Sequence, residues 1–267
     1  ASQVSLAVKP LVQENKILQM AIFSSADKYS SENDLSFRVS TKNQIEATEL
    51  ANFIKKQEYK RLAIIYLNND FGLGFKESLK NQLEKKANVQ IIAEESNLLE
   101  TTDFRTILTK VKEKNSDAIF MVGVAAQYAL ILKQAHELGV KTQFLSMRSA
   151  EDPVLINNAG ELAEGLIYTY PFDAYSKSKE IKDFVDVFTK KYKTVPDAYA
   201  AEGYEGFKLT AMALITCEKD RECIMRYFKN LNNYQSLFGE IKFDENGDPN
   251  YRFFTKTVKN GEFIALN

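Results

Sequence analysis

The segment with the clearest potential for chemistry is the glycine-bearing turn at residues 68–74, which separates an apolar run from an amphipathic helix. A strand, a glycine-bearing turn and a helix often hold a ligand at the helix N-terminus. The two glycines resemble the start of a dinucleotide-binding fingerprint, but Glu77 stands where that fingerprint has a third small residue. The turn lacks the Gly-Lys-Ser/Thr ending of a phosphate-binding loop, and its letters DFG come without any other kinase motif. We therefore predict a ligand other than a nucleotide.

Side chains for acid–base, nucleophilic or metal chemistry are scarce in this sequence. His136 is the only histidine and lies within a predicted helix, which favours a structural or surface role. The acidic stretch DENGDPN, residues 244–250, has the wrong ligand order for a calcium loop and favours a hairpin-type turn. The sequence shows no metal-ligand cluster and no Ser-His-Asp arrangement. We predict that the protein is not an enzyme and needs no cofactor.

Cys217 and Cys223 are the only cysteines and have five residues between them, at a predicted corner between two helices. In a reducing compartment they would be idle thiols, whereas in an oxidising compartment they could close a short disulfide. The sequence leaves both alternatives open. Two cysteines without a nearby histidine do not favour a zinc site.

Length, composition and charge are typical of a soluble globular protein. The chain has 267 residues, enough for two lobes or one large domain, with 45% hydrophobic and 27% charged residues. A formal net charge of -1 argues against a nucleic-acid partner, because phosphate-binding surfaces are normally basic. No apolar run reaches the ~18 residues that span a bilayer. The first residues do not resemble a signal peptide, so we expect any export signal to have been removed.

Apolar periodicity predicts an α/β chain with parallel sheets. Short apolar runs predict six buried strands, at Ile17–Phe23, Leu62–Tyr66, Val89–Ala93, Ala118–Val122, Gln143–Leu145 and Leu166–Tyr170. Helical patterns lie between most of them, at Ile45–Lys56, Phe71–Lys86, Phe104–Lys114 and Ala126–Leu138. After Tyr170 the order changes to three helices and two closing strands, at Lys177–Lys191, Ala198–Cys217, Glu222–Leu231, Glu240–Phe243 and Arg252–Val258.

The order of these elements and several local strings resemble one family over nearly the whole chain. The strings include SQVSLAVKPLVQENKI, FRVSTKNQIEATELANFI, KRLAIIYLNNDFGLGF, DAIFMVG, LKQAHELGVKTQF, AGELAEGLIYTYPF, YEGFKLTAMAL and GEIKFDENGD. The chain is similar to the type I periplasmic solute-binding proteins, in the branched-chain amino-acid (Leu/Ile/Val) group of ABC transporters. Family members begin with additional βαβ units, so the resemblance implies a first lobe truncated at its N-terminus. A lobe without its opening strands would expose apolar surface and favour self-association.

The resemblance implies two Rossmann-like lobes joined by three crossovers, with a ligand in the cleft at the carboxyl ends of both sheets. The crossovers are expected near Phe37–Thr41, Tyr170–Asp173 and Phe238–Lys242. The first lobe would then hold residues 1–39 and 171–238, and the second lobe residues 40–170 and 239–267.

The resemblance also assigns ligand contacts in the first lobe. Ser2 matches a serine that binds the ligand carboxylate at a helix start, and Phe23, Ser24 and Ser25 match a strand-end segment that holds the α-carboxylate and α-amine. Ordinary helix and turn capping is the alternative for the serines. Tyr199 and Tyr204 match side-chain contacts at the start of a long helix, with packing as their alternative.

Three contacts are assigned in the second lobe. Phe71 matches an aromatic residue, usually tyrosine, that lies over the ligand; alternatively, it heads a core stripe along its helix. Val124 stands where an aromatic is common and would widen the pocket. Arg148 occupies the position of an acid that neutralises the ligand ammonium, unless a shift of the loop brings Glu151 or Asp152 there. With arginine in place, free leucine, isoleucine and valine should bind poorly and a small organic acid should bind better.

The resemblance implies a solute-binding protein of an ABC transporter that closes around a small amino-acid-like or carboxylate ligand by hinge motion. Its partner would be a permease in the inner membrane. Its location would be the periplasm, or another extracytoplasmic site with a lipid anchor on the full-length form. The alternative on the same fold is a ligand-sensing regulatory or receptor domain.

Overall fold

The computed structural model describes residues 2–31, 34–86 and 88–266. The first and last residues of the predicted lobes, Ala1 and Asn267, lie outside the described residues. The chain divides into two compact units. The first unit is formed by Ala1–Ile45 and Pro171–Arg252, and the second by Glu46–Tyr170 and Phe253–Asn267. The chain therefore passes from one unit to the other three times, after residues 45, 170 and 252.

Helices and strands alternate through the first two thirds of the chain. The helices are α1 (Ser2–Glu14), α2 (Asn43–Lys56), α3 (Asp70–Lys86), α4 (Arg105–Glu113), α5 (Ala125–Glu137), α6 (Pro153–Ala159), α7 (Lys179–Tyr192), α8 (Ala198–Cys217) and α9 (Arg221–Lys229). The strands are β1 (Gln19–Ala21), β2 (Ser36–Arg38), β3 (Arg61–Leu67), β4 (Gln90–Asn97), β5 (Ala118–Val122), β6 (Gln143–Ser146), β7 (Ile167–Tyr170), β8 (Tyr234–Ser236), β9 (Gly239–Ile241), β10 (Phe254–Lys259) and β11 (Glu262–Ala265). Among the described residues, the helices are too short or too polar to cross a membrane.

The second unit is built on a seven-stranded sheet in the order β11-β10-β7-β6-β5-β3-β4. The strands from β4 to β7 run parallel, as predicted. All five residues of β5 are buried, which is why that strand reads as a continuous apolar run. The predicted stripe of α3 supplies the core, since Phe75, Leu79 and Leu83 are buried against this sheet.

At the end of the chain, two antiparallel strands extend the predicted parallel sheet, which is therefore mixed. Strand β10 pairs antiparallel with β7, and β11 pairs antiparallel with β10. The turn between β10 and β11 is Asn260–Gly261, and both residues have positive φ, at 53° and 71°. This two-residue turn type joins adjacent antiparallel strands, so the hairpin follows from the Asn-Gly pair.

The first unit contains a parallel pair, β1 with β2, and an antiparallel pair, β8 with β9, together with α1, α7, α8 and α9. The predicted turn at residues 244–250 is present, with a bridge between Phe243 and Pro249. The strands on either side of it are not partners of each other. Strand β9 pairs with β8, whereas β10 joins the sheet of the second unit.

Two of the three unit boundaries lie later than predicted. The second crossing coincides with the expected division between residues 170 and 171. The third lies at residues 252 and 253 rather than near residue 238, because residues 239–252 stay in the first unit through the β8–β9 pairing and the stacking of Tyr251 on Phe238 at 4.7 Å. The first lies at residues 45 and 46, because Asn43 N–H donates to Ser25 O of the same unit at 2.8 Å.

A disulfide joins Cys217 at the end of α8 to Cys223 in α9, with Cα atoms 5.5 Å apart. The short connection turns sharply because Glu218 and Lys219 both have positive φ. Asp220 then caps α9, and its carboxylate accepts a hydrogen bond from Cys223 N–H at 2.6 Å. The predicted helix–helix corner is therefore present, and of the two alternatives for its cysteines the structure has the disulfide.

Candidate functional site

In the second unit, the three predicted ligand contacts follow three neighbouring parallel strands. Phe71 comes shortly after β3, Val124 after β5 and Arg148 after β6, and these strands are adjacent in the sheet. Because the carboxyl ends of parallel strands meet at one edge, the three residues belong to the same edge of the sheet. In open α/β sheets this is the edge where ligands bind.

Phe71 is the second residue of α3 and lies in the glycine-bearing turn that follows β3. Gly72 N–H donates to Asn69 Oδ1 at 2.9 Å, and a Cβ on Gly72 would lie 2.0 Å from Leu67 O. Only glycine allows this approach of the helix start to β3. The Phe71 ring is partly buried and packs on the apolar core of the unit, as the core-stripe alternative expects. Its role over a ligand stays a prediction.

Val124 is partly exposed, with 37% of its surface accessible, and directly precedes α5. The turn that carries it is fixed by the buried Tyr128, whose hydroxyl accepts from Gly123 N–H at 2.7 Å and lies 2.9 Å from Ser149 Oγ. Ser149 Oγ donates to Gly123 O at 2.8 Å. Burial raises the pKa of Tyr128 to about 12, so the phenol is neutral at ordinary pH. These bonds tie the Val124 turn to the loop that carries Arg148.

Arg148 is buried and paired with the fully buried Glu46 at the start of α2. Arg148 Nε donates to Glu46 Oε2 at 2.8 Å, and Arg148 N–H donates to Glu46 Oε1 at 2.9 Å. Thr169 Oγ1 also donates to Glu46 Oε1, at 2.7 Å, and the guanidinium lies 4.8 Å from the centre of the Phe253 ring. The positive charge of Arg148 is therefore balanced by Glu46 inside the second unit.

The other acids of this loop have structural partners. Glu151 forms an ion pair with Lys256 at 2.6 Å and accepts from the Tyr168 hydroxyl at 2.6 Å. Burial, followed by the Glu151 charge and its hydrogen bond, raises the pKa of Tyr168, so this hydroxyl stays a donor. Asp152 caps α6 and accepts from Val154 N–H at 2.8 Å. Both acids are thus engaged in holding the loop and the following helix.

In the first unit, the predicted serines come together around residues 24–26. Ser2 is buried at the start of α1, and its Oγ accepts from Ala26 N–H at 3.3 Å. Ser24 and Ser25 are also buried, and their carbonyl oxygens accept from Arg38 Nη1 at 3.0 Å and from Asn43 N–H at 2.8 Å. Within the described parts of the chain, Ser24 Oγ has no hydrogen-bond partner although it is buried. A buried hydroxyl in that state is a candidate for a ligand contact.

The two predicted tyrosines of α8 lie apart from each other. Tyr199 packs edge-on against Phe23, with ring centroids 5.5 Å apart, and so joins the serine segment. Tyr204 packs against Phe184 at 4.9 Å, in a groove of about 810 Å³ between α7 and α8. Residues five apart on an α-helix point roughly 140° away from each other, which explains the separation. We leave Tyr204 out of the candidate site.

Sequence reasoning missed two buried charged residues, Glu46 beside Arg148 in the second unit and Arg38 beside Ser24 in the first. Glu46 shares a helical stripe with Leu50 and Ile54, at spacings of four residues, and both leucine and isoleucine are buried. An acid within an apolar stripe signals a buried carboxylate that needs a partner. Its partner could not be read from the sequence, because Arg148 lies 102 positions further along the chain. Among the described residues, no group of three or more His, Cys, Asp or Glu side chains could hold a metal ion.

Comparison with known proteins supplies the decisive observation. Residues 1–262 match the family described as "Periplasmic binding protein". The chain belongs to this family. A Leu/Ile/Val-binding protein of Citrobacter freundii is 29% identical to this periplasmic binding protein over 195 residues, which are 73% of this chain and 52% of that protein. The chain thus spans about half the length of these Leu/Ile/Val-binding relatives.

Two further relatives cover more of this periplasmic binding protein. Leu/Ile/Val-binding protein homolog 1 of Brucella abortus is 23% identical over 254 residues, which are 93% of this chain and 67% of that protein. The crystal structure of a leucine-binding protein from Thermotoga maritima has a TM-score of 0.91 and 28% identity, covering 100% of this chain and 77% of that chain. The resemblance and the α/β fold class predicted from the sequence are therefore confirmed, with a mixed sheet of mostly parallel strands.

Proposed function

We propose that this chain is the ligand-binding part of an extracytoplasmic solute-binding protein of an ABC transporter. The match to the periplasmic binding protein family over residues 1–262 carries this proposal. The leucine-binding protein of Thermotoga maritima, with its TM-score of 0.91, supports it. The protein performs no chemistry on its ligand. It works in the periplasm and delivers the ligand to a permease in the inner membrane.

Capture of the ligand occurs by hinge closure. The three passages of the chain between its two units support this, because a few residues at each passage can absorb a change in backbone angles. Each unit also fixes the chain beside the crossings. In the second unit, Glu46 and Thr169 lie next to the first and second crossings and are hydrogen-bonded to each other at 2.7 Å.

The ligand is a small carboxylate that does not depend on an ammonium group. Ser2, Ser24 and Ser25 of the first unit offer hydroxyl and backbone N–H groups, which suit a carboxylate. In the second unit, the position that carries an acid in amino-acid binders holds Arg148, and Glu46 already balances its charge. A ligand ammonium would therefore meet no available carboxylate from this loop and would lose its hydration without compensation.

Native mass spectrometry of the protein as purified tests the proposal. We expect one small molecule retained per chain, released on denaturation, with an accurate mass that identifies a carboxylic acid. A panel of amino acids and organic acids, screened by thermal shift, finds the ligand if none is retained. Absence of a retained molecule together with no shift from any amino acid or carboxylic acid would contradict the proposed function.

A further inference from the structure

One guanidinium, that of Arg38, organises the whole segment that contains the candidate serines. Arg38 is the last residue of β2 and is fully buried. Its Nη1 donates to Ser24 O at 3.0 Å and to Ala26 O at 2.9 Å, and its Nη2 donates to Ser30 Oγ. The guanidinium carbon also lies 5.1 Å from the centre of the Tyr29 ring. The segment from residue 24 to residue 30 therefore wraps around this side chain.

These contacts fix the direction of the neighbouring peptide N–H groups. In a trans peptide, the C=O of one residue and the N–H of the next point in opposite directions, and cis peptides are absent from the described chain. With Ser24 O and Ala26 O both turned towards Arg38, the N–H groups of Ser25 and Asp27 are turned away from it. The third carbonyl of the segment, Ser25 O, is held separately by Asn43 N–H at 2.8 Å.

The charge of Arg38 is balanced inside the first unit. Asp248 accepts from Arg38 Nε and from Ser30 Oγ, and forms an ion pair with Lys42 at 2.5 Å. Partial burial lowers the pKa of Lys42, but the hydrogen bond and charge of Asp248 outweigh it, so the net pKa is raised and this lysine stays charged. Arg38 is thus held by the protein itself and acts on the segment without being its ligand-binding cation.

The acidic turn at residues 244–248 is anchored tightly against β2. Gly247 has φ +78°, and a Cβ there would lie 2.7 Å from Ser36 O and 2.9 Å from the Phe37 ring. Only glycine permits this approach. Asp248 is thereby brought to Arg38 from 210 positions away in the chain.

We propose that Arg38 is a positioning residue for the ligand carboxylate, because it sets the backbone of Ser24–Ala26 and aims the Ser25 N–H away from itself. The inference rests on the proposed function, in which this segment receives the carboxylate. The buried Ser24 Oγ, without a hydrogen-bond partner in the described ranges, lies on this segment, and the Ser2 hydroxyl of α1 accepts from its Ala26 N–H. Arginine suits this role because its planar guanidinium bonds Ser24 O, Ala26 O and the Asp248 carboxylate at once, which the single ammonium group of a lysine cannot do with the same geometry.

Two measurements on the wild-type protein and three variants test the inference. The variants are Arg38→Lys, Arg38→Gln and the matched control Lys9→Met. Lys9 Nζ donates to Tyr29 O, near the far end of the segment, and pairs with Asp34 at 2.7 Å, but the described contacts do not join it to Ser24 or Ala26. Amide hydrogen exchange reports on residues 24–27 without any ligand. Calorimetry with α-ketoisocaproate, the keto acid with the leucine skeleton, reports on the carboxylate.

In both Arg38 variants we expect the amides of residues 24–27 to exchange at least about tenfold faster, while the α8 amides stay unchanged. The dissociation constant for α-ketoisocaproate should rise by at least about tenfold, because the carboxylate site is no longer preorganised. Lys9→Met should match the wild type in both measurements. If Arg38→Gln fails to fold, Arg38→Lys decides, because it keeps the positive charge beside Asp248.

Unchanged exchange at residues 24–27 in Arg38→Lys would overturn the inference, as would faster exchange with wild-type affinity. Failure of the wild type itself to bind α-ketoisocaproate is a different result. It would count against the proposed ligand class, and the exchange measurement alone would then decide whether Arg38 sets the segment.

Discussion

Each unit contains a buried arginine side chain that is paired with a buried carboxylate. Arg148 with Glu46 in the second unit and Arg38 with Asp248 in the first are all at most 5% exposed. A buried pair gains little net stability over an apolar pair, but losing one partner is costly because the other charge stays behind. Each pair fixes the relative positions of two chain segments that are distant in sequence.

Glu46→Gln should lower the free energy of unfolding by about 3 to 5 kcal/mol, because the Arg148 guanidinium loses its carboxylate in a buried place. Urea denaturation measures this. Lys179→Met breaks the solvent-exposed pair of Lys179 with Asp183 on α7 and should have no measurable effect. The double variant Glu46→Leu with Arg148→Met should recover much of the loss. Equal stability of Glu46→Gln and wild type would show that the pair is not formed.

Tyr128→Phe should lower stability by about 1 kcal/mol near neutral pH, because Gly123 N–H and Ser149 lose a hydrogen-bond partner. The pKa of Tyr128 rises from an ordinary value near 10 to about 12 in the folded protein. Its contribution is therefore complete below pH 10 and is lost as pH rises towards 12, since the unfolded chain ionises first. The stability difference between wild type and variant should shrink over that range. A difference independent of pH would contradict the burial of this phenol.

The site residues predicted from the sequence were those that match the family pattern, and the residues that were missed are their hydrogen-bonding partners. Ser2, Ser24 and Ser25 were placed by resemblance, and the structure brings them to one segment. Arg38 and Glu46 act through contacts 210 and 102 positions away, and neither spacing nor periodicity encodes such pairs. Only the folded chain shows that the charge of Arg148 is already balanced.

Among the secondary-structure elements, two that are rich in apolar residues were predicted with their exact bounds. Helix α8 has the bounds expected from the sequence, and the buried strand β5 does too. The short strands β2, β8 and β11 were missed, because three or four residues carry little periodic signal. The pairing of β9 with β8, and not with β10, depends on contacts within the first unit that the local turn sequence does not specify.

Gly72→Ala should destabilise the protein by about 1 to 3 kcal/mol, because the added methyl group collides with the Leu67 carbonyl and pushes the start of α3 away from β3. Gly203→Ala is the matched control within α8. Apart from its chain neighbours and the backbone of its own helix, no atom of the described residues lies within 4 Å of a Cβ at that position, so this change should stabilise the helix by about 0.5 to 1 kcal/mol. Thermal unfolding of both variants measures the contrast. The same change in both would mean that the contact at Gly72 is not tight.

At the scale of the whole molecule, the proposed ligand capture requires hinge motion between two separately packed units. Small-angle scattering with and without a saturating ligand from the screening panel tests closure. We expect the radius of gyration to fall on binding, because the proposed hinge closure shifts the population towards a more compact form. An unchanged radius at saturation, confirmed by calorimetry on the same sample, would mean that binding occurs without hinge closure.

Calorimetry of the wild-type protein against leucine and α-ketoisocaproate tests the proposed charge of the ligand most directly. The two molecules share a skeleton and a carboxylate and differ in the ammonium group. With Arg148 and Glu46 paired to each other, we expect α-ketoisocaproate to bind at least about tenfold tighter, a difference of about 1.4 kcal/mol. Tighter binding of leucine, unchanged in Arg148→Ala, would contradict the account.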